Sequence, residues 1–217
     1  MTVTVFLDVL SHWCYAAQPA VAALQRTLAD DMHLEIRFAP VFDGGAIDYS
    51  AELYEWFYRR GAGAYGTQLD ANWRGGTVTS SRDANAAVAA AIALGADPQA
   101  VSESFMREVM RDGQPLFTED AAARSVAAGA ALPLERVLRT MRSDEIADEL
   151  RAANARLAEI GCAERPSWLM VNDNGDRAVL QGVWQAEAIL PLARALLEDE
   201  RAYRRAGPPP KDRKIDA

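Results

Sequence analysis

Apolar and polar residues alternate in two short segments near the start of the chain. Residues 2–8 are mostly apolar and β-branched, which predicts a buried strand. The segment HLEIRFAPV, residues 33–41, alternates apolar with charged side chains and predicts a second strand. Between them, residues 13–29 carry an apolar stripe at helical spacing, and Pro19 is expected to kink that helix. A helical crossover of this length predicts that the two strands are parallel.

The middle of the chain has helical periodicity. Asp97 before Pro98 and Thr118 before two acidic residues are typical helix starts. The glycine-rich stretch 61–81, which contains Trp73, is predicted to be a loop or a lid. Helices are predicted over about 50–60, 82–94, 98–111, 119–130, 133–141 and 144–160.

The last quarter of the chain returns to strands. Residues 167–171 and 178–181 flank Asn-Asp-Asn-Gly-Asp, a hairpin turn signal, and an amphipathic helix follows at 185–203. The order predicts an α/β domain built from residues 1–45 and 162–205, with a helical insertion at 46–161. The proline-rich residues 206–217 are predicted to form a flexible tail.

Charge and composition narrow the function. A formal net charge of −8 argues against nucleic acid or an anionic membrane as a partner. No apolar run is long enough to span a bilayer, and Met1 leads directly into the first strand without a signal peptide. We therefore expect a cytoplasmic protein with reduced thiols, in which two cysteines cannot form a disulfide framework. Two histidines give no metal signature.

The candidate chemistry lies between the first strand and the first helix, at Ser11-His12-Trp13-Cys14-Tyr15. Ser11 can cap the helix and donate a hydrogen bond to a thiolate, but its hydroxyl does not ionise near neutral pH. His12 has the side chain to act as acid, base or thiolate partner. Cys14 is either a single reactive thiol or a small buried hydrophobic residue.

These segments resemble the thioredoxin fold of the DsbA-like family. Members carry Cys-Pro-Trp-Cys-Tyr or similar after the first strand, where this chain has Ser11 in place of the first cysteine. Pro19 matches the family's kinking proline, and Pro166 matches the cis-proline before the third strand. The segment SSRDANAAV is similar to one found in FrnE-type members. The resemblance implies a thioredoxin-like α/β fold with an inserted helical subdomain.

A serine at the first motif position is similar to the kappa-class glutathione transferases and the 2-hydroxychromene-2-carboxylate isomerases. In those enzymes glutathione supplies the sulfur, so the resemblance implies glutathione or another low-molecular-weight thiol as cofactor. Val183-Trp184 stands where the transferases have a Ser-Asp pair for the γ-glutamyl end, which counts against ordinary glutathione binding. The candidate catalytic residues are thus Ser11, His12 and Cys14. The resemblance implies that Arg165 and Pro166 contact the substrate, and Trp13 and Trp184 are further substrate-binding candidates because their rings can line an apolar cleft.

Three functions remain open from the sequence. The first is a thiol oxidoreductase that uses a single motif thiol or a small thiol bound at Ser11. The second is a glutathione-dependent isomerase or transferase acting on an aromatic or polyketide-like substrate, and the third is a non-catalytic binding protein. Cys162 is expected to be structural, with a Cys14–Cys162 disulfide as an alternative, and a homodimer through the helical insertion is an open expectation.

Overall fold

A computed structural model describes residues 1–65 and 80–207. The strands are β1 (Thr2–Leu7), β2 (His33–Phe38), β3 (Ser167–Val171) and β4 (Arg177–Gln181). The helices are α1 (His12–Ala16), α2 (Gln18–Leu28), α3 (Ala51–Tyr65), α4 (Arg82–Ala93), α5 (Pro98–Met110), α6 (Glu119–Gly129), α7 (Leu134–Met141), α8 (Asp144–Glu159) and α9 (Ala186–Ala206).

The four strands form one mixed sheet in the order β2-β1-β3-β4. β1 pairs in parallel with β2, as the crossover predicts, and in antiparallel fashion with β3. β3 and β4 form the predicted hairpin. This is the strand arrangement that the resemblance to the thioredoxin fold implies.

Alternate residues of β1 point to opposite faces of the sheet, and the two faces have separate cores. Val3, Val5 and Leu7 belong to a large core that also takes in α2, α9 and the inserted helices α4 to α7. Phe6 belongs to a smaller core with Leu157 of α8 and with Cys162. The site motif lies at the end of β1, where the chain leaves the sheet.

The helix predicted over 13–29 is in fact two helices, which corrects the expected kink. α1 ends at Ala16, and α2 begins at Gln18 after a single cap residue, Ala17. Pro19 therefore lies in the first turn of α2, where its missing N–H breaks no helical hydrogen bond. The side-chain amide of Gln18 donates instead to the carbonyl of Cys14 (3.3 Å).

The predicted caps are present. The Asp97 side chain accepts a hydrogen bond from the Ala100 N–H, and the Thr118 hydroxyl accepts one from the Ala121 N–H. The first insertion helix runs five residues beyond its prediction, to Tyr65. Most of the predicted glycine-rich loop, Trp73 included, and residues 208–217 of the predicted tail lie outside the described residues. No helix in the described part of the chain is both long and apolar enough to span a membrane.

Candidate active site

Ser11 joins β1 to α1 and is the N-cap residue of that helix. Its N–H donates to the carbonyl of Asp8 (3.0 Å), and its Oγ accepts from the N–H of Cys14 (3.4 Å). Oγ acts as an acceptor in that bond, and its own hydrogen can donate to a sulfur atom nearby, as the effect of the Ser11 side chain on the Cys14 thiol indicates. Ser11 is half-buried and lines an open cavity of about 340 Å³. A sulfur atom that entered this cavity would therefore reach the Ser11 hydroxyl.

Cys14 is sealed beneath this cavity, with no exposed surface. Its Sγ accepts a hydrogen bond from the Asp8 N–H (3.3 Å). Desolvation raises the pKa of the Cys14 thiol to about 12, against smaller opposing effects of the Asp8 N–H and the Ser11 side chain. The thiol is neutral at physiological pH, and a neutral buried thiol is a poor nucleophile. This position argues against the catalytic role predicted for Cys14.

Cys162 lies in the other core, on the opposite face of the sheet from Cys14. Both cysteines are free thiols. The alternative of a Cys14–Cys162 disulfide is therefore wrong, and Cys162 packs as a small apolar residue among its neighbours.

His12 lines the cavity but is only 8 % exposed. Burial lowers the pKa of its imidazole to about 4, because desolvation disfavours the charged ring. The ring is neutral at pH 7. His12 therefore does not carry a spare proton as an imidazolium.

The wall of the cavity opposite the motif is aromatic. It comes from the segment after β2 and from α3. Neither segment was predicted from the sequence to hold a site residue. Phe42 packs edge-on against Tyr49, with ring centroids 5.9 Å apart, and Tyr49 also contacts Tyr54 and Phe57. Among the described residues, the cavity is lined by Leu10, Ser11, His12, Trp13, Val41, Phe42, Ile47, Tyr49, Tyr54, Phe57, Arg60, Ala163, Glu164 and Arg165.

Trp13 and Trp184, both predicted to bind substrate, have different positions. Trp13 lines the cavity, and the guanidinium of Arg60 lies 5.3 Å from its ring centroid and 5.3 Å from that of Trp56. Trp184 packs against Trp13 at 6.2 Å and does not line the cavity. The structure thus places Trp184 behind Trp13, as a support.

Arg165 reaches the cavity, but its side chain is already engaged. Nε donates to the carbonyl of Ala39 (2.7 Å), and Nη2 donates to the carbonyl of Pro40 (3.2 Å) and to Oδ1 of Asn154 (2.5 Å). The guanidinium therefore fixes the exit of β2. The Arg165–Pro166 peptide bond is cis, and Pro166 is buried outside the cavity lining.

Asp8 is a buried residue next to the site that was not predicted from the sequence. Its carboxylate is fully buried and accepts hydrogen bonds from the N–H of Leu10 (2.8 Å) and of Val41 (2.7 Å). Two side chains of the α4 start, the Ser81 hydroxyl (2.6 Å) and the Asn85 amide (3.1 Å), also donate to it. An acidic residue directly after a buried strand was the available signal, as was the polar segment SSRDAN.

A family model described as DSBA-like thioredoxin domain matches residues 2–196. A probable DsbA oxidoreductase from Streptomyces coelicolor has a TM-score of 0.71 at 20% identity, covering 100% of this chain and 95% of that one. The cytosolic disulfide reductase DsbM from Pseudomonas aeruginosa has a TM-score of 0.68 at 18% identity, covering 95% and 100%.

The same reductase, solved with GSH, has a TM-score of 0.68 at 16% identity and covers 94% and 100% of the two chains. No curated protein matches the sequence. Likeness at these identities shows the fold. The family match spans almost the whole chain and agrees with the mixed sheet, the motif at the end of β1 and the proline before β3, so the chain belongs to the DSBA-like thioredoxin domain family.

Proposed function

We propose that this protein is an enzyme that holds an external low-molecular-weight thiol, such as glutathione, at Ser11 and applies its sulfur to an apolar second substrate. One observation carries the proposal: Ser11 lines the open cavity, whereas the sulfur of Cys14 is sealed beneath it. Of the two thiol sources open from the sequence, the external thiol is the one that can reach a substrate.

The bound sulfur would be stabilised as a thiolate by hydrogen bonding and by charge. Ser11 Oγ has a hydrogen to donate, and a hydrogen bond to the charged form lowers the pKa of a thiol. Arg60 and Arg165 bring two positive charges to the same cavity, against the one carboxylate of Glu164. α1 is only five residues long, so we assign the stabilisation to these side chains instead of to the helix dipole.

An isomerase or transferase reaction fits this site because it needs only one sulfur. The thiolate adds to an electron-poor carbon of a conjugated substrate, forming a C–S bond while the π electrons move to the neighbouring atom, which takes a proton from solvent. In a transfer reaction the thioether leaves as product. In an isomerisation the substrate rotates about the former double bond, loses the proton, and expels the thiolate unchanged.

Thiol–disulfide exchange is the second candidate, and the likeness to a disulfide reductase solved with GSH favours it. In that reaction the bound thiolate attacks a disulfide, forms a mixed disulfide and releases a thiolate. A second molecule of small thiol must then resolve the mixed disulfide, because Cys14 is sealed. The aromatic cavity wall favours the first reaction, since it matches a flat apolar substrate.

The proposed cell compartment is the cytosol, which supplies reduced thiols. A cytosolic disulfide reductase among the similar structures supports this placement. The homodimer stays a prediction.

The test is glutathione binding by calorimetry with wild type and Ser11→Ala, with ultraviolet absorbance of the bound thiolate as a second readout. Ser104→Ala is the matched control, because Ser104 is also half-buried and lines a separate cavity between α5 and α6. We expect saturable binding in wild type and Ser104→Ala, and a loss of at least about tenfold in Ser11→Ala, the size of one hydrogen bond to a charged group. Equal affinity in Ser11→Ala, or no binding to wild type, would contradict the proposal.

A discriminating variant is Ser11→Cys, which creates Cys-His-Trp-Cys at the motif. With excess glutathione as reductant, a first-position thiol in this cavity should attack a disulfide of insulin, and glutathione should then resolve the mixed disulfide, whereas wild type should show little reduction. Efficient insulin reduction by wild type would favour the exchange reaction over addition.

A further inference from the structure

Phe42 has a backbone conformation that aromatic residues rarely adopt. Its φ and ψ angles are 53° and 33°, and those of the next residue, Asp43, are 54° and 29°. Both residues are thus in the left-handed region, where a side chain on Cβ crowds the following carbonyl. Glycine or asparagine would occupy such a position with less strain.

Three anchors hold this turn. The Val41 N–H donates to the Asp8 carboxylate (2.7 Å), and the carbonyl of Gly44 accepts from the Ser80 hydroxyl (2.7 Å). Just before the turn, Arg165 holds the carbonyl of Ala39 (2.7 Å). The anchors come from the end of β1, the start of α4 and the loop before β3, so the surrounding fold fixes the conformation.

The strained turn leaves about half of the Phe42 side chain exposed. Its ring is 52 % exposed and lines the cavity, at the aromatic wall opposite Ser11. A strained aromatic residue that stays half in water does not serve stability, because burial is what makes an aromatic side chain stabilising. Strain that the fold maintains at a cavity is typical of a residue that contacts a ligand.

We propose that Phe42 is the specificity-determining residue of the second-substrate site, where its ring contacts the flat apolar group of the substrate. This inference rests on the proposed function, since it places the second substrate in the cavity that holds the thiol. The ligand class is an aromatic or conjugated group attached to, or about to be attached to, the sulfur of the bound thiol.

The test measures the stability and the ligand affinities of one variant, Phe42→Gly. Glycine removes the ring and relieves the left-handed backbone, so the variant should unfold at a higher urea concentration than wild type. It should bind S-benzylglutathione about fivefold more weakly, the size of one aromatic contact, and glutathione within about twofold of wild type. Phe42→Tyr should restore the S-benzylglutathione affinity, and Tyr203→Ala, which removes a 59 % exposed ring on α9, should change neither ligand.

Greater stability combined with weaker S-benzylglutathione binding supports the inference. An unchanged S-benzylglutathione affinity in Phe42→Gly, or equal losses for both ligands, overturns it. If wild type binds no glutathione, the proposed function fails separately. The inference is then decided by the apolar probe anilinonaphthalenesulfonate: weaker binding in Phe42→Gly than in wild type supports it, and equal binding overturns it.

Discussion

Asp8 and Val41 lie 33 positions apart in the chain, yet the Asp8 carboxylate accepts a 2.7 Å hydrogen bond from the Val41 N–H. The other carboxylate oxygen accepts from Leu10, which directly precedes Ser11. One buried side chain thereby holds the backbone next to both walls of the cavity. The distance between the Ser11 wall and the Phe42 wall depends on this carboxylate.

Replacing Asp8 by Asn should remove the hydrogen bond from Val41 and keep the one from Leu10. The amide oxygen can keep the bonds from Leu10 and Asn85, but the NH₂ group cannot accept from Val41. We expect a loss of about 1–3 kcal/mol in the free energy of unfolding, because the Val41 N–H loses its acceptor. Hydrogen exchange should accelerate at the Val41 amide and stay slow at Leu10. Equal acceleration at both amides would show that the substitution weakens the Leu10 and Val41 hydrogen bonds alike.

Cys14 should be unreactive toward thiol reagents in the folded protein. With its pKa raised to about 12, roughly one molecule in ten thousand carries the thiolate at pH 8. A disulfide reagent such as dithionitrobenzoate should therefore titrate neither cysteine under native conditions and both in urea. Ser11→Cys, with one added thiol at the cavity, should give one fast equivalent. Fast labelling in a Cys162→Ser variant, where Cys14 is the remaining thiol, would contradict the sealed position of Cys14.

His12 should make stability depend on pH between about 6.5 and 4. Its pKa in the folded protein, about 4, lies below the ordinary value of 6.5, so the unfolded chain binds the proton more tightly. The neutral ring contributes fully above pH 6.5, and the contribution falls as the pH decreases toward 4. The total is about 3 kcal/mol.

Urea unfolding at pH 7, 5.5 and 4.5 measures this slope. His12→Gln should flatten it. An identical slope in wild type and His12→Gln would rule out the buried neutral imidazole.

Arg165 should be needed for stability in a way that lysine cannot replace. Its guanidinium bonds to Ala39, Pro40 and Asn154 from one planar group, whereas an ammonium cannot reach all three. We expect Arg165→Lys and Arg165→Met each to lower the free energy of unfolding by about 2 kcal/mol. Arg124→Met is the control: it removes an exposed ion pair with Asp120 and should change stability by less than about 0.5 kcal/mol.

The elements of the fold followed closely from local patterns. Apolar periodicity gave the strands and helices, and the capping residues Asp97 and Thr118 fixed two helix starts. The division of residues 12–28 into two helices was harder to predict, because Pro19 is compatible with both a kink and a first turn. Only the packing of α1 and α2 decides between them.

The site was predicted in part, because some of its residues belong to one short motif and the others come from distant segments of the chain. The motif put Ser11, His12 and Trp13 at the cavity, where the structure also has them. The burial of Cys14 and the neutral state of His12 depend on the inserted helices that cover them. Asp8 and Phe42 were missed because their roles come from contacts between distant segments and from a left-handed turn with no glycine or asparagine at Phe42 to signal it.

The sealed position of Cys14 also determines which sulfur of the proposed enzyme peroxide would oxidise. Both cysteines of the chain are buried, so on the proposed function peroxide would react first with the thiolate of the bound small thiol. A ligand damaged in this way can dissociate and be exchanged for a fresh one. The cysteines of the protein would then stay unoxidised, and activity would return when a fresh thiol bound.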